Sequence, residues 1–202
     1  MSLHAPAEHG GILSVPLLSS VWPLLKHEFK GEFAGRSIHE IRSQARTEVI
    51  EAARSYLAER DEPIPKLDHD NLLLAGHQPE LFHPGVWLKN FALNAMAQEH
   101  RLTPLNLVVD NDVIKTNSLR IPLSEPRYYS TRMLGVPYEE ALVEDEKLFD
   151  RVDDITLPWK NMLSDYWDHI REVTPSTKKI GERFAGARRA LERDWDCHNL
   201  EL

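Results

Sequence analysis

The chain of 202 residues is 42% hydrophobic and 28% charged, the make-up of a globular protein and not of a disordered or collagenous one. Its net charge of −8 argues against nucleic acid as a partner, and its one cysteine, Cys197, excludes an intramolecular disulfide and any zinc site that needs two thiolates. No run approaches the roughly 18 apolar residues of a membrane span, and the amino terminus lacks a secretory signal, so a cytoplasmic location without membrane contact is expected.

Residues 1–35 carry Pro6, Pro16 and Pro23 with Gly10, Gly11, Gly31 and Gly35, and read as an irregular lead-in with at most a short helix over 20–28. Ser37 and Glu40 form a capping box, after which Ile38, Ile41, Ala45, Val49, Ala52 and Tyr56 recur at helical spacing. That helix should stop near Glu59 or Arg60, because Pro63 and Pro65 remove backbone donors and make 61–65 an extended connector.

Residues 71–75 are a short apolar run closed by Gly76, as expected for a strand buried on both faces. A helix over 84–100 follows, with Pro84 in its first turn. Trp87, Leu88, Phe91, Ala92, Ala95 and Met96 form its expected buried side, with Asn90, Asn94 and Gln98 opposite. A second apolar run over 105–109 ends in Asp110-Asn111-Asp112. Strand, helix and strand in this order predict two adjacent parallel strands joined by a right-handed crossover.

Short strands are predicted over 118–122 and 128–136, as a hairpin around 124–126. Leu157, Met162, Leu163, Tyr166, Trp167 and Ile170 mark a later helix. Ile180, Phe184, Ala187, Leu191 and Trp195 mark another, beyond Thr174-Pro175-Ser176. The last six residues read as a strand, as expected of a piece of a longer protein. The resulting division is a lead-in over 1–35, an α/β core over 36–155 and a helical segment over 156–202 packed on that core.

Charge is uneven along the chain. Residues 139–154 hold eight acids against Lys147 and Arg151, and 178–193 hold six basic residues against Glu182 and Glu192. Two solvated helix faces are the expected outcome.

The stretch from Gly76 to Gly85 joins a strand's carboxyl end to a helix amino terminus, the place where open α/β sheets collect ligands and where unpaired N–H groups favour an anion. His77 and His83 bring imidazoles that titrate near neutrality, Gly76 and Gly85 allow close approach, and Gln78 adds an amide. Lys89, at the edge of the helix's apolar side, leans toward the same position. Asp110 and Asp112 share a face if the strand stays extended, and suit three roles: binding a divalent ion, anchoring an amine or hydroxyl, or acting as a base. Lys115, Thr116, Asn117 and Arg120 follow as groups for phosphate or carboxylate. Cys197-His198 reads as an unreactive thiol and Asp68-His69-Asp70 as a loop.

Gly76-His77-Gln78-Pro79-Glu80-Leu81, the helix from Gly85 and the strand ending Asp110-Asn111-Asp112 resemble the amino-terminal core of the bacillithiol-biosynthesis cysteine ligases, over about residues 71–112. Those proteins read Gly-Gln-Gln and Asp-His-Asp at the two motifs, so His77 and Asn111 are departures. More distantly, His83-Pro84-Gly85-Val86 is similar to the His-x-Gly-His element of Rossmann-like nucleotidyltransferases, with Val86 in place of the last histidine. The family's chain is longer and carries a coiled coil.

The resemblance implies a Rossmann-like parallel sheet with helices on both faces and a ligase or nucleotidyltransferase reaction, with a small anionic molecule or nucleotide, and Mg2+, as ligands. His77, His83, Asp110 and Asp112 would be catalytic, and Gly76, Gln78, Gly85 and Lys89 would bind the ligand. The alternative expectation is a non-catalytic binding or interaction module of a larger protein.

Overall fold

A tight hairpin forms where a turn demands a left-handed backbone. Strands β1 (Glu32–Phe33) and β2 (Arg36–Ser37) pair antiparallel, Glu32 with Ser37 and Phe33 with Arg36. The two turn residues between them, Ala34 and Gly35, both have positive φ, at 51° and 76°. Two such residues match the twist of a tight hairpin, and glycine takes that conformation without steric cost. The irregular lead-in expected over 1–35 therefore contains the first strand of a hairpin. The computed structural model describes residues 30–66, 71–80, 84–115, 134–143, 160–173 and 177–202, with residues 4, 7–8, 13–17, 20, 23, 118–119 and 127–128. The helix expected over 20–28 and the loop 68–70 lie outside these residues, save for Ser20 and Pro23.

Helix α1 (Ile38–Ala58) starts at the predicted cap, where Ser37 Oγ accepts the His39 N–H at 3.2 Å. It ends as expected before the proline connector. Glu62 N–H reaches back to the Leu57 carbonyl at 3.0 Å, across Asp61 at a φ of 54°. The chain divides into two units, residues 1–45 and 46–202, and α1 crosses the division.

In the second unit, β3 (Leu72–His77), α2 (Pro84–His100) and β4 (Thr103–Val108) form the expected crossover. The strands pair parallel, with Leu72 beside Thr103 and His77 beside Val108. The last residues supply a third strand, β7 (Leu200–Glu201), parallel to β4, so the sheet order is β3-β4-β7. Between β4 and β7 come β5 (Ser118–Leu119) and β6 (Arg127–Tyr128), paired antiparallel, then helices α3 (Lys160–Val173) and α4 (Ile180–Asp194). The fold is mixed α/β with a three-stranded parallel sheet. Among the described residues no helix is long and apolar enough to cross a membrane.

One sheet face is apolar. Leu105 and Leu200, side by side in the register, form a buried cluster with Ala53 and Leu57 of α1, flanked by Val49, Ile50 and Tyr56. The buried side of α1 thus passes through Ala53 and not the expected Ala52. Each such leucine contributes about 2 kcal/mol. Cover does not reach the whole face: Leu74, in the middle of edge strand β3, is 55% exposed and Leu107, near the end of β4, 37%. The strands are therefore not buried on both faces throughout, as their unbroken apolar runs had suggested.

The other face is polar inside. Side chains alternate along a strand, so Asn106 and Glu201 turn away from Leu105 and Leu200. Glu201 is buried, and its carboxylate accepts hydrogen bonds from Asn106 Nδ2 at 2.8 Å, from Arg188 and from Arg189. Arg188 Nη1 also donates to both oxygens of Glu192, at 3.0 Å each, and Arg189 pairs with Glu62, which takes Arg193 as well. Trp87 Nε1 and Asn90 Nδ2 complete the cluster on Glu192 Oε1, each at 2.7 Å.

Two sequence expectations change here. Asn90 and Asn94 are buried, not solvent-facing, because Glu192 and the His198 carbonyl accept their amides, while Leu88 is 46% exposed. The basic stretch on α4 is not a solvated face, because Arg183, Arg188 and Arg189 are all buried. The partners of Arg188 and Arg189 are Glu62, Glu192 and Glu201, and no partner comes from the described part of 139–154.

Candidate functional site

Parallel pairing brings the carboxyl ends of β3 and β4 to the same sheet edge, and Val109 N–H extends the ladder by donating to the His77 carbonyl at 3.0 Å. Beyond the strands, Gln78 Nε2 donates to Asp112 Oδ2 at 2.7 Å, tying the exit of one strand to the exit of the other. Lys115 Nζ reaches the same oxygen at 2.9 Å, and Val113 N–H donates to Oδ1 at 2.9 Å. These donors, Gln78 first, hold the Asp112 carboxyl down at about 2. Asp112 is ionised throughout the physiological range.

The Asp110–Lys115 loop is held from behind by the 134–143 segment. Glu139 and Tyr138 donate their N–H groups to the Asp110 and Asp112 carbonyls at 3.0 and 3.2 Å, and Ile114 N–H donates to the Val136 carbonyl. The same segment meets α4, where Ile180 N–H reaches the Ala141 carbonyl at 2.9 Å. A Cβ on Gly181 would stand 3.0 Å from the Tyr138 carbonyl oxygen, so a small residue is needed there.

Extended geometry ends at Val109 and a turn follows at Asp110 and Asn111, so the alternation that would align Asp110 with Asp112 does not apply. Asp112 is engaged by Gln78 and Lys115. Asp110 is exposed, and its carboxylate has no partner among the described residues.

His77 is half-buried at the end of β3. Burial, then the positive field of Lys89, lowers its pKa from the ordinary 6.5, with a smaller push from Arg188 against an opposing hydrogen bond at the Gln78 backbone. The ring is neutral at pH 7 and fit to accept a proton or a hydrogen bond. The field of Lys89 at His77 joins the α2 cation to the strand end, although Lys89 itself is exposed. Gly85 is exposed in the first turn of α2. His83, Thr116, Asn117 and Arg120 lie outside the described residues.

Gly76 has a structural reason to be glycine, since a Cβ there would lie 2.8 Å from the Leu107 carbonyl oxygen. Cys197 is buried, and burial, then Glu192, pushes its thiol up to about 12. His198 turns to Asp196 Oδ1 at 3.0 Å, and the expected unreactive thiol follows.

Sequence reading passed over the carboxylate and guanidinium cluster. Its one local signal is the i, i+4 spacing of Arg188 and Glu192. A cleft of ≈ 390 Å³ beside this cluster is bordered by Lys66, Asn94, Cys197 and Asn199, and another of ≈ 480 Å³ by Arg60, His169 and Glu182. Neither includes His77, Gln78, Asp110 or Asp112. Among the described residues no three His, Cys, Asp or Glu side chains gather as a metal site. Comparison with known proteins returns no match: no family model, no curated protein and no solved structure matches this chain.

Proposed function

We propose that residues 71–115 form the ligand-binding core of a Rossmann-like enzyme of the nucleotidyltransferase or cysteine-ligase type, taking a small anionic molecule or nucleotide beyond the ends of β3 and β4. The observation that carries this reading is the Gln78–Asp112 bridge between the two strand exits, beside a neutral His77 and the cation of Lys89. In this reading Lys89 and the amino end of α2 attract the anion, His77 accepts a hydrogen bond or proton, and Asp110 orients the second reactant. Gln78 and Lys115 are positioning residues that keep Asp112 ionised and its loop in place.

Asp112 is a poor direct ligand for Mg2+, because three N–H donors take three of its carboxylate's roughly four acceptor sites and leave one lone pair, on Oδ1. No step is therefore assigned to a metal. A second reading, a binding module without turnover, is favoured by the apolar pair Leu107 and Val109, 37% and 41% exposed, at the same sheet end.

Calorimetric titration of the full chain with ATP and with inorganic phosphate tests the proposal. One of the two should bind, and Lys89→Ala and Lys89→Gln should each weaken it about tenfold without changing ligand-free stability, as expected for a hydrogen bond to a charged group. Absence of binding by both probes, or unchanged affinity in both variants, would refute it. Binding without pyrophosphate release from ATP, across added amino acids and sugar phosphates, would favour the module over the enzyme.

A further inference from the structure

Helices α3 and α4 meet through small and apolar groups. A Cβ on Gly186 would come within 3.1 Å of Val173, and Tyr166, Ile170, Ile180 and Phe184 are buried. At one end of this pairing stands a histidine whose two ring nitrogens both face carboxylates. His169 Nδ1 lies 3.1 Å from Glu172 Oε2, one turn further along α3, and Nε2 lies 3.0 Å from Asp194 Oδ2, the last residue of α4.

A neutral imidazole has one N–H and one lone pair, so it can satisfy only one of these acceptors and must turn its lone pair toward the other. An imidazolium donates to both at once. Position adds to the preference: a cation near the carboxyl end of α3 suits the helix dipole, and it offsets the unfavourable charge of Asp194 at the carboxyl end of α4.

We propose that His169 is a proton-operated latch, fastening the carboxyl-terminal turn of α3 to the end of α4 while its ring carries two protons and releasing it when the ring carries one. The other charges bordering the same cleft are already committed or open to water. Arg189 and Arg193 pair with Glu62, Arg60 pairs with Glu182, and Glu59 and Asp61 are exposed. On the outer side of α3, Asp168 and Arg171 pair with each other. The latch therefore answers to Glu172 and Asp194.

The direction of its pH response follows. Burial pulls the ring's pKa down, but the hydrogen bonds and charges of Glu172 and Asp194 outweigh it and leave it raised above the ordinary 6.5. A raised folded-state pKa means that the contact is fully present below 6.5 and is lost as pH climbs through the higher folded value. The ring is 19% exposed and the carboxylates 73% and 57%, so water screens the contact and the local effect is modest.

Two measurements on the full chain decide it. In an NMR titration, the His169 ring should titrate above the ordinary histidine value, and Glu172→Gln and Asp194→Asn should each move it down. In hydrogen exchange, protection factors for residues 170–173, corrected for intrinsic rates, should fall about two- to fivefold between pH 6 and pH 8.5. His169→Gln should abolish that pH dependence. Where His169→Gln fails to fold, Asp194→Asn keeps the ring and should reduce it. A ring that titrates at or below the ordinary value, or protection with the same pH dependence in wild type and variants, overturns the latch.

Discussion

Replacing Glu201 by glutamine keeps the shape of the side chain and removes one negative charge from the centre of the second unit. Glu201 is 1% exposed, and its two oxygens accept hydrogen bonds from Asn106, Arg188 and Arg189. In the wild type Arg188, Arg189 and Arg193 face Glu62, Glu192 and Glu201, so the cluster's formal charges cancel. Glu201→Gln leaves it one positive charge in excess and turns an amide N–H₂ toward a guanidinium. Removing one partner of a buried ion pair costs about 3–5 kcal/mol. Arg188 keeps Glu192 and Arg189 keeps Glu62, so the lower end, about 3 kcal/mol, is expected here. For a chain of this size that corresponds to a fall in Tm of about 6–12 °C.

Urea unfolding followed by far-UV circular dichroism at pH 7 measures the loss. Arg188→Met in the Glu201→Gln background should cost less than Arg188→Met alone, by about 1 kcal/mol or more, because the charge it removes has already lost a partner. A single-variant loss below about 1 kcal/mol, together with additive double-variant energies, would refute a tightly paired cluster.

Gly76→Ala should destabilise the β3–β4 pair by about 1–3 kcal/mol, since the new methyl meets the Leu107 carbonyl oxygen at 2.8 Å and one strand must shift; unchanged urea stability would contradict that packing. The Asp112 carboxyl should titrate at about 2 by carbon-13 NMR, and Gln78→Ala should raise it toward 3.8. Because its pKa is depressed, the contacts it holds are complete above 3.8 and fade as pH falls through about 2, so the Asp110–Lys115 loop should loosen only in strong acid. Lys89→Ala should raise the His77 pKa toward 6.5, read by ring chemical shifts, and an unmoved titration would separate the lysine from the site.

Much of the scaffold is written in local residue order. Ser37 caps α1, the prolines after Asp61 stop it, Pro84 opens α2, and a crossover with one helix leaves β3 and β4 little choice but to run parallel. The same logic led to the strand exits, where Gln78, His77 and Asp112 stand. Which polar groups go inside could not be read that way. Asn90 and Asn94 look like a wet helix side until Glu192 and the His198 carbonyl, more than a hundred residues on, supply acceptors. Arg189 looks solvated until Glu62, 127 residues before it, comes within reach. Burying a charge is favourable only when a partner is already placed, and partners so distant in the chain are brought together by folding alone. The pairing of β7 with β4 and the turn that separates Asp110 from Asp112 belong with these: local pattern sets what each segment can become, and tertiary contact decides which neighbours it meets.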